Sequence, residues 1–271
     1  METPLTLMAV HAHPDDEVLG TGGLFARCAA EGVRTVLVTC TNGEQGDDHG
    51  GIKPGEPGHD AQGVARRRLA ELRESAGLLG IETVELLGYR DSGMDGWEGN
   101  DDPEAFANVP VDDAAARLAE LIERYRPQVV VTYDENGGYG HPDHIQAHRI
   151  AAAAVERTGI ARKFYYTAVA RSGIERLFEH AKEAGMDVGG FELPDDFGVS
   201  DDKIHAVVDV ASYADRKRKA LLAHASQGES IFLLQLPEEV QNVVFSTENF
   251  TRVFSQVDVP DHEDDLFTGL R

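Results

Sequence analysis

The stretch His11-Ala12-His13-Pro14-Asp15-Asp16-Glu17 directly follows an apolar run from Leu5 to Val10. The apolar run is typical of a buried β-strand, and Pro14 favours the end of that strand because proline donates no ladder hydrogen bond. Proline also biases the preceding residue, His13, toward an extended backbone. We therefore expect two imidazoles and three carboxylates where the chain leaves a sheet.

A second polar motif, His141-Pro142-Asp143-His144, follows another apolar run from Val129 to Tyr133. It repeats the chemistry of the first motif, with histidines and a carboxylate around a proline just after a predicted strand. Histidine and carboxylate are common metal ligands. We therefore expect the two motifs to form one metal site from loops that are distant in sequence.

The composition is that of a soluble globular protein. The chain has 271 residues, of which 41% are apolar and 27% charged, enough for the core of one large domain. Its net charge of −23 argues against binding to nucleic acid or anionic membranes, which would repel it. No run approaches the roughly 18 apolar residues of a membrane span, and no signal peptide is predicted. Cys28 and Cys40 stand in apolar surroundings and are predicted to be buried free thiols of a cytoplasmic protein.

Strands and helices alternate along the first 170 residues. The predicted strands are Leu5–His11, Arg34–Cys40, Thr83–Leu87, Val129–Tyr133 and Lys163–Val169. The predicted helices are Gly20–Glu31, Ala61–Leu79, Val111–Tyr125 and His144–Arg157. Long polar loops are expected at residues 42–60 and 88–110. This alternation predicts an α/β fold, namely a Rossmann-like, doubly wound, mostly parallel sheet with helices on both faces.

The predicted topology brings the two motifs together. In the common doubly wound strand order 3-2-1-4-5, strands one and four are neighbours on opposite sides of the switch point. Ligands bind outside the carboxyl ends of those strands. Both histidine motifs fall there, so topology alone predicts a shared site.

The alternation is less regular after residue 170, and no linker marks a second domain. We expect a single domain, 1–271, with a core at 1–170 and a smaller C-terminal extension at 171–271 that completes the pocket. The extension is predicted to contain a strand at residues 206–210 and a helix rich in basic residues at 211–225. A hairpin is predicted at 243–254, and the acidic tail at 258–265 is expected to be mobile or loosely packed.

His13, Asp16 and His144 would make a metal-ligand set of two histidines and one carboxylate. A catalytic zinc ion takes three protein ligands and keeps a fourth position for water, and the same set also holds Fe(II). Asp15, adjacent to this set, is predicted to be the general base that deprotonates the attacking water. The alternatives are a partly buried, hydrogen-bonded imidazole for each histidine and helix capping for one of the two aspartates.

The other histidines of the motifs have different predicted roles. His141 is expected to stabilise an oxyanion or to protonate the leaving amine, as a protonated imidazole that Asp143 orients. Asp143 has a second interpretation, as the cap of the helix that begins near His144. His148, one helical turn further on, is predicted to lie behind the ligands, and His11 to be buried structure.

The sequences HPDDE at residues 13–17 and NGGYGHPDH at 136–144 resemble the motifs of the PIG-L (LmbE-like) family of metal-dependent de-N-acetylases. The similarity extends from about residue 5 to 155. Within the family it is greatest to two actinobacterial mycothiol enzymes, the N-acetylglucosaminyl-inositol deacetylase and the mycothiol S-conjugate amidase.

The resemblance implies a role for each residue of the motifs. It implies that His13, Asp16 and His144 are zinc ligands and that Asp15 is the general base. It implies that His141 is an oxyanion-stabilising or acid histidine, supported by the Asp143 carboxylate. Tyr139 matches a mobile tyrosine beside the scissile carbonyl.

The resemblance also implies residues that bind substrate. Arg68 and Asp91 are similar to sugar-hydroxyl contacts, Glu44 to another polar group of the active site, and His224 to a residue at the pocket mouth. The loop at 46–60 and everything after about residue 162 depart from both mycothiol enzymes. In the family, these regions shape the pocket around the rest of the substrate.

Two other classes of protein are alternatives to this interpretation. The stretch Gly20-Thr21-Gly22-Gly23 suggests nucleotide binding, but Phe25 replaces the third glycine of the fingerprint and the acidic residues 15–17 would repel a pyrophosphate. A non-catalytic sugar-binding module would have no need for Asp15 beside a complete ligand set. The two motifs predict a metal-dependent hydrolase, and the family resemblance implies that it removes an N-acetyl or N-acyl group from a small glucosamine-type amide. The alternatives are cleavage of a larger amide, as by a mycothiol S-conjugate amidase, and deacetylation of a secondary metabolite on the same scaffold.

Overall fold

The computed structural model describes residues 4–183, 198–228 and 231–271. In this part of the chain, the strands are β1 (Thr6–His11), β2 (Arg34–Thr41), β3 (Thr83–Tyr89), β4 (Val129–Thr132), β5 (Lys163–Ala168), β6 (Ala206–Asp209) and β7 (Thr247–Ser255). They form one sheet in the order β3-β2-β1-β4-β5-β7-β6. The first five strands are parallel, whereas β7 runs antiparallel to β5 and β6.

Helices cover both faces of this sheet. They are α1 (Asp16–Ala30), α2 (Ala61–Leu79), α3 (Val111–Tyr125), α4 (Pro142–Thr158), α5 (Arg171–Glu183), α6 (Ala214–Ala223), α7 (Phe232–Gln235) and α8 (Glu238–Val244). The helices α1, α2 and α6 contribute to the core on one face, and α3 and α4 to the core on the other. The predicted α/β, Rossmann-like fold is confirmed. No helix among the described residues is long and apolar enough to cross a membrane.

β1 shows why the sheet is buried on both faces. Leu7 and Ala9 belong to the core beneath α1 and α2, whereas Met8 and Val10 belong to the core beneath α3 and α4. All four side chains are fully buried. A strand with two buried faces needs a continuous apolar run rather than an alternating one, as residues 5–10 show.

The switch point lies where it was predicted. β1 pairs with β2 on one side and with β4 on the other, with Leu7 opposite Val129 and Ala9 opposite Val131. The carboxyl ends of β1 and β4 therefore meet at one edge of the sheet, and the two histidine motifs extend from that edge.

Three predictions about the elements were wrong. The helix expected from residue 20 begins at Asp16, because acidic side chains in a first turn stabilise the positive end of a helix. The hairpin expected at 243–254 is the end of α8 followed by a single strand, whose partners are β5 and β6. The acidic tail is anchored to the domain at Glu263, whose buried carboxylate binds the Lys163 ammonium group, and the fully buried Leu266 and Phe267 follow the tail directly.

Two side chains of the C-terminal extension form hydrogen bonds with the backbone of α1. The Glu248 carboxylate accepts the N–H groups of Gly23 and Leu24, each at 2.8 Å. Lys217 Nζ donates to the Leu19 carbonyl at 3.2 Å and to Glu248 Oε1 at 2.6 Å. The carbonyl of residue 19 and the N–H of residue 23 are partners in a regular helix. Here each binds one member of a buried ion pair, which we call the α1 clamp (Lys217 and Glu248).

Candidate metal centre

The first motif forms the turn between β1 and α1. The Ala12 N–H donates to the Tyr133 hydroxyl at 2.9 Å, and the Ala12 carbonyl accepts the Thr41 N–H at 2.9 Å. The His13 N–H then donates to Asp16 Oδ2 at 2.8 Å. Thr41 ends β2 and Tyr133 follows β4, so the turn is attached to the ends of both neighbouring strands.

Three potential ligand atoms converge above this turn. The distances are 3.3 Å from His13 Nδ1 to Asp16 Oδ2, 3.3 Å from His13 Nδ1 to His144 Nε2, and 3.4 Å from His144 Nε2 to Asp16 Oδ2. In a tetrahedral site with metal–ligand bonds of about 2.0–2.1 Å, neighbouring ligand atoms lie about 3.3–3.4 Å apart. The donor triangle (His13 Nδ1, Asp16 Oδ2 and His144 Nε2) therefore fits a tetrahedral cation with its fourth position open.

The outer nitrogen of each of these histidines binds a fixed oxygen. His13 Nε2 lies 3.1 Å from Asp143 Oδ2, and His144 Nδ1 lies 3.0 Å from the Gly137 carbonyl. Such acceptors keep a proton on the outer nitrogen and leave the lone pair of the inner nitrogen for a cation. Asp143 is held in turn by the N–H and hydroxyl of Ser92.

Carboxylates set the electrostatics of the centre. Burial opposes a charge on His13, but Asp91, Asp143 and Asp16 raise its pKa well above the usual range. Burial likewise opposes the Asp16 carboxylate, but His144 and His13 hold its pKa well below the usual range. Several buried carboxylates thus surround two imidazoles, a charge distribution that favours a bound cation.

Asp15 lies at the start of α1 and contacts Arg68. Its Oδ2 lies 3.1 Å from Arg68 Nη2, and its side chain is 17% exposed. Burial raises the pKa of Asp15; Arg68 opposes the rise and Asp16 adds to it. A partly accessible carboxylate with a raised pKa has the properties of a general base.

His141 differs from its predicted state. Its Nδ1 accepts the Asp143 N–H at 3.1 Å, so the neutral ring carries its proton on Nε2. Burial and the neighbouring His13 and His144 lower the pKa of His141 to about 2. The Asp143 carboxylate, which was expected to orient a protonated His141, binds His13 and Ser92 instead. His141 is therefore a neutral hydrogen-bond donor that a backbone amide orients.

Tyr139 is the most exposed of the predicted catalytic residues. Its side chain is half exposed, and its ring centroid lies 5.0 Å from that of His144 and 6.1 Å from that of His141. Burial of the hydroxyl group raises the pKa of Tyr139, so the phenol stays protonated. Tyr139 can therefore donate a hydrogen bond at the solvent side of the centre.

The two remaining histidines of the motifs lie behind the donor triangle, as predicted. His11 is fully buried, with Nε2 2.8 Å from the Thr21 hydroxyl, and burial lowers its pKa to about 4. His148 Nδ1 donates to the Tyr133 carbonyl at 3.1 Å. The Tyr133 ring stacks on His144 at 4.2 Å between centroids, so His148 supports a ligand through Tyr133.

The predicted sugar contacts, Arg68 and Asp91, lie close to the centre, but part of their hydrogen-bonding capacity is used within the protein. Arg68 is buried and donates to the Gly43 and Pro14 carbonyls, at 2.8 and 2.7 Å. Asp91 Oδ1 lies 3.5 Å from His13 Nε2, and its Oδ2 lies 4.0 Å from Arg68 Nη1. Arg68 and Asp91 thus form a long salt bridge beside the centre.

Glu44 and His224 have contrasting environments. Glu44 is half buried, and within the described part of the chain its Oε2 is buried without a hydrogen-bond partner. His224, expected at the pocket mouth, is fully buried, and its Nε2 lies 2.8 Å from Glu17 Oε1. The placement of His224 differs from the prediction because its ion pair with Glu17 lies beneath the turn between β1 and α1.

Sequence reasoning missed several residues that support the centre. Ser92 adjoins a predicted sugar contact, and Tyr133 directly follows a strand at the switch point. The Gly137 carbonyl accepts a hydrogen bond from His144 Nδ1. A Cβ atom at Gly137 would lie only 2.6 Å from the Cβ atom of His144. Gly137 also has a φ of 63°, in the left-handed region. The paired glycines before the second histidine motif are the signal that was available for this close approach.

Comparison with known proteins places this centre in a family. A family model described as GlcNAc-PI de-N-acetylase, PIG-L, matches residues 8–155, which is more than half of the chain and includes both motifs. The chain belongs to the PIG-L family.

Curated relatives support this membership, and a solved structure shares the fold. The chain is 44% identical over 231 residues to 1D-myo-inositol 2-acetamido-2-deoxy-alpha-D-glucopyranoside deacetylase of Acidothermus cellulolyticus, covering 82% of this chain and 79% of the relative. A deacetylase of the same name from Geodermatophilus obscurus is 40% identical, with 97% of each protein covered. N,N'-diacetylchitobiose deacetylase from Pyrococcus horikoshii has the same fold, with a TM-score of 0.58, 20% identity, and coverage of 92% of this chain and 83% of that one. The PIG-L membership inferred from the two motifs is confirmed.

Proposed function

We propose that this PIG-L family member is a cytoplasmic, zinc-dependent deacetylase whose substrate is an N-acetylglucosaminyl-inositol. The observation that carries the proposal is the donor triangle of His13, Asp16 and His144 with Asp15 beside it. The substrate is inferred from relatives of about 40% identity that share one name and match most of this chain. Iron(II) fits the same donor set and is the alternative metal.

The metal would be held by one carboxylate and two imidazoles. A divalent ion held there would supply Lewis-acid chemistry, which polarises an amide carbonyl and makes water a stronger nucleophile near neutral pH. In the proposed reaction, Asp15 takes a proton from the attacking water, and Arg68 holds the Asp15 carboxylate in place. The water oxygen forms a bond to the carbonyl carbon, and the bond from that carbon to the sugar nitrogen then breaks.

The neutral His141 would act on the carbonyl oxygen. Its Nε2–H is a donor to the negative charge that develops as water adds, and the Tyr139 phenol is a second donor on the solvent side. The proton that Asp15 has taken up passes to the departing amine. Acetate and a primary amine are the products, and Asp15 returns to its carboxylate form.

Recognition of the sugar is assigned to Glu44, Asp91 and Arg68. A buried carboxylate oxygen without a partner, such as Glu44 Oε2, is unfavourable unless a ligand donates to it, and sugar hydroxyls are such donors. Asp91 adds an acceptor close by, and Arg68 adds its Nε–H, which has no hydrogen-bond partner in the described part of the chain. His224, in contrast, is assigned to support of the turn between β1 and α1.

The test is a panel of amides assayed for released primary amine. N-acetylglucosaminyl-inositol, free N-acetylglucosamine, a mycothiol S-conjugate and a simple aryl acetamide would be compared at equal enzyme concentration. We expect the highest kcat/KM for N-acetylglucosaminyl-inositol. A higher kcat/KM for the S-conjugate would make the chain an amidase, and no amine from any member would contradict the proposal.

A further inference from the structure

Asp15 has a backbone conformation that is uncommon for a residue with a side chain. Its φ of 113° lies in the left-handed region, as does that of only one other non-glycine residue of the described chain, Arg126. Such a conformation is unfavourable and persists only when surrounding contacts impose it. The contacts that impose it at Asp15 are therefore part of what positions the proposed base.

One of these contacts comes from Glu17. Its Oε2 accepts the Asp15 N–H at 2.9 Å, and its Oε1 accepts from the Ser75 hydroxyl at 2.5 Å and lies 2.8 Å from His224 Nε2. Glu17 and His224 are both fully buried. Neither side chain can reach a substrate, so any effect on the reaction passes through neighbouring residues, and the direct hydrogen bond of Glu17 is to the Asp15 N–H.

Arg68 completes the arrangement from the other side. Its Nη2 donates to the Pro14 carbonyl at 2.7 Å and to Asp15 Oδ2 at 3.1 Å. Arg68 thus holds the side chain of Asp15, and Glu17 holds its backbone. An ordinary acidic residue in a first helical turn needs only the free N–H groups of its helix. Glu17 instead links the N–H of the base to a histidine more than 200 residues away.

We propose that Glu17, fixed by His224 and Ser75, is a positioning residue that holds Asp15 in its catalytic orientation. This inference rests on the proposed function, because it takes Asp15 to be the base. It also gives the C-terminal extension a role in catalysis, since His224 follows α6.

The test is a double-mutant cycle of Glu17→Ala and Asp15→Asn, measured as kcat for release of the sugar amine. If Glu17 acts through Asp15, Glu17→Ala lowers kcat by about 10–100-fold in the natural chain, as expected for a displaced catalytic group. In the Asp15→Asn background the same change lowers kcat by less than about threefold, because the positioned group is already absent. An equal loss in both backgrounds would overturn the proposal.

Further variants and measurements separate positioning from loss of folding or metal. Glu17→Gln keeps an oxygen for the Asp15 N–H and should recover most of the kcat lost in Glu17→Ala. Glu263→Gln, which disturbs another buried ion pair, serves as a control for destabilisation and should leave kcat unchanged. Metal content and urea unfolding are measured for each variant. Loss of metal from Glu17→Ala, or a Glu17→Gln variant as slow as Glu17→Ala, would overturn the positioning role. Full activity of Asp15→Asn would instead overturn the proposed base, and with it this inference.

Discussion

His13 and His144 each use one ring nitrogen within the donor triangle and the other on a fixed oxygen. Asp143 and the Gly137 carbonyl are those oxygens, at 3.1 and 3.0 Å. The two histidines therefore need little rearrangement to bind a cation, because their tautomers and ring orientations are already set. At this scale the central distinction is between the three residues that would hold the ion and Asp15, which would carry the proton.

Asp15→Asn should separate these two roles. The amide keeps the size of the side chain but cannot accept the proton of the attacking water. We expect metal content to be unchanged and turnover to fall by about 10²–10⁴-fold, the usual contribution of a general base. Near-normal turnover would contradict the assignment of the base, and loss of the metal would make Asp15 a ligand.

Glu44→Gln should test recognition of the sugar. The variant keeps the shape of Glu44 but removes the charge of its unpartnered oxygen. We expect kcat/KM to fall by about 10–100-fold for the glucosamine amide and to change little for an aryl acetamide that lacks the ring. Asp91→Ala is the comparison: because Asp91 also contacts His13, it should lower kcat/KM for both substrates. Equal losses for Glu44→Gln on both substrates would contradict a sugar contact.

At the scale of elements, α1 connects the metal-binding turn to the C-terminal extension. Its first turn carries Asp16 and Glu17, and its middle binds the α1 clamp of Lys217 and Glu248. Both side chains of the clamp are only 3% exposed. Removing one partner leaves a buried charge without compensation, which is more costly than the absence of both partners.

The clamp should therefore be important for stability. We expect Glu248→Gln to lower the free energy of unfolding by about 3–5 kcal/mol, as measured by urea denaturation. The matched control is Lys219→Met on the same helix, α6. Its exposed pair with Asp215 should contribute little to stability. Similar effects of both variants would contradict a special role for the clamp.

The Glu17–His224 pair predicts a pH dependence of stability. Burial opposes the charge on His224, but Glu17 raises its pKa above 6.5, so its contribution is full below about pH 6.5 and is lost as the pH rises through the raised value. Burial also opposes the charge on Glu17, but His224 lowers its pKa below 4.5, so its contribution is present above about pH 4.5 and is lost on further acidification.

His224→Gln should reveal this window. The loss in unfolding free energy relative to the natural chain should be larger at about pH 5.5 than at about pH 8.5. Urea denaturation at both pH values measures it. A loss that does not depend on pH would show that packing, rather than charge, explains the role of His224.

At the scale of the whole molecule, general rules of chain patterning were sufficient to predict the fold and the place of the site. Buried apolar runs, their alternation with helices and the position of the switch point were enough to bring residues 13–16 and 141–144 together. The rest depended on where individual side chains point. The Asp143 carboxylate turns toward His13 rather than His141, and nothing in the local pattern distinguishes these partners.

Buried charged groups are the second reason why the structure differs from the sequence predictions. Glu263 stands in an acidic stretch, and His224 was expected at the pocket mouth from the family resemblance, yet both are buried in ion pairs with partners that are distant in sequence. Such pairs replace hydration with a specific partner, and a single sequence does not reveal the partner. The tail and the support of the turn between β1 and α1 therefore required the three-dimensional structure.

The central claim is that one divalent ion binds to His13, Asp16 and His144. The most direct measurement is the metal content of the purified chain, of His13→Ala and His144→Ala, and of His262→Gln, which changes an exposed histidine outside the centre. We expect one tightly bound divalent ion per chain in the natural protein and in His262→Gln, and loss of tight binding in the other two variants. Full occupancy in both His13→Ala and His144→Ala would contradict the claim.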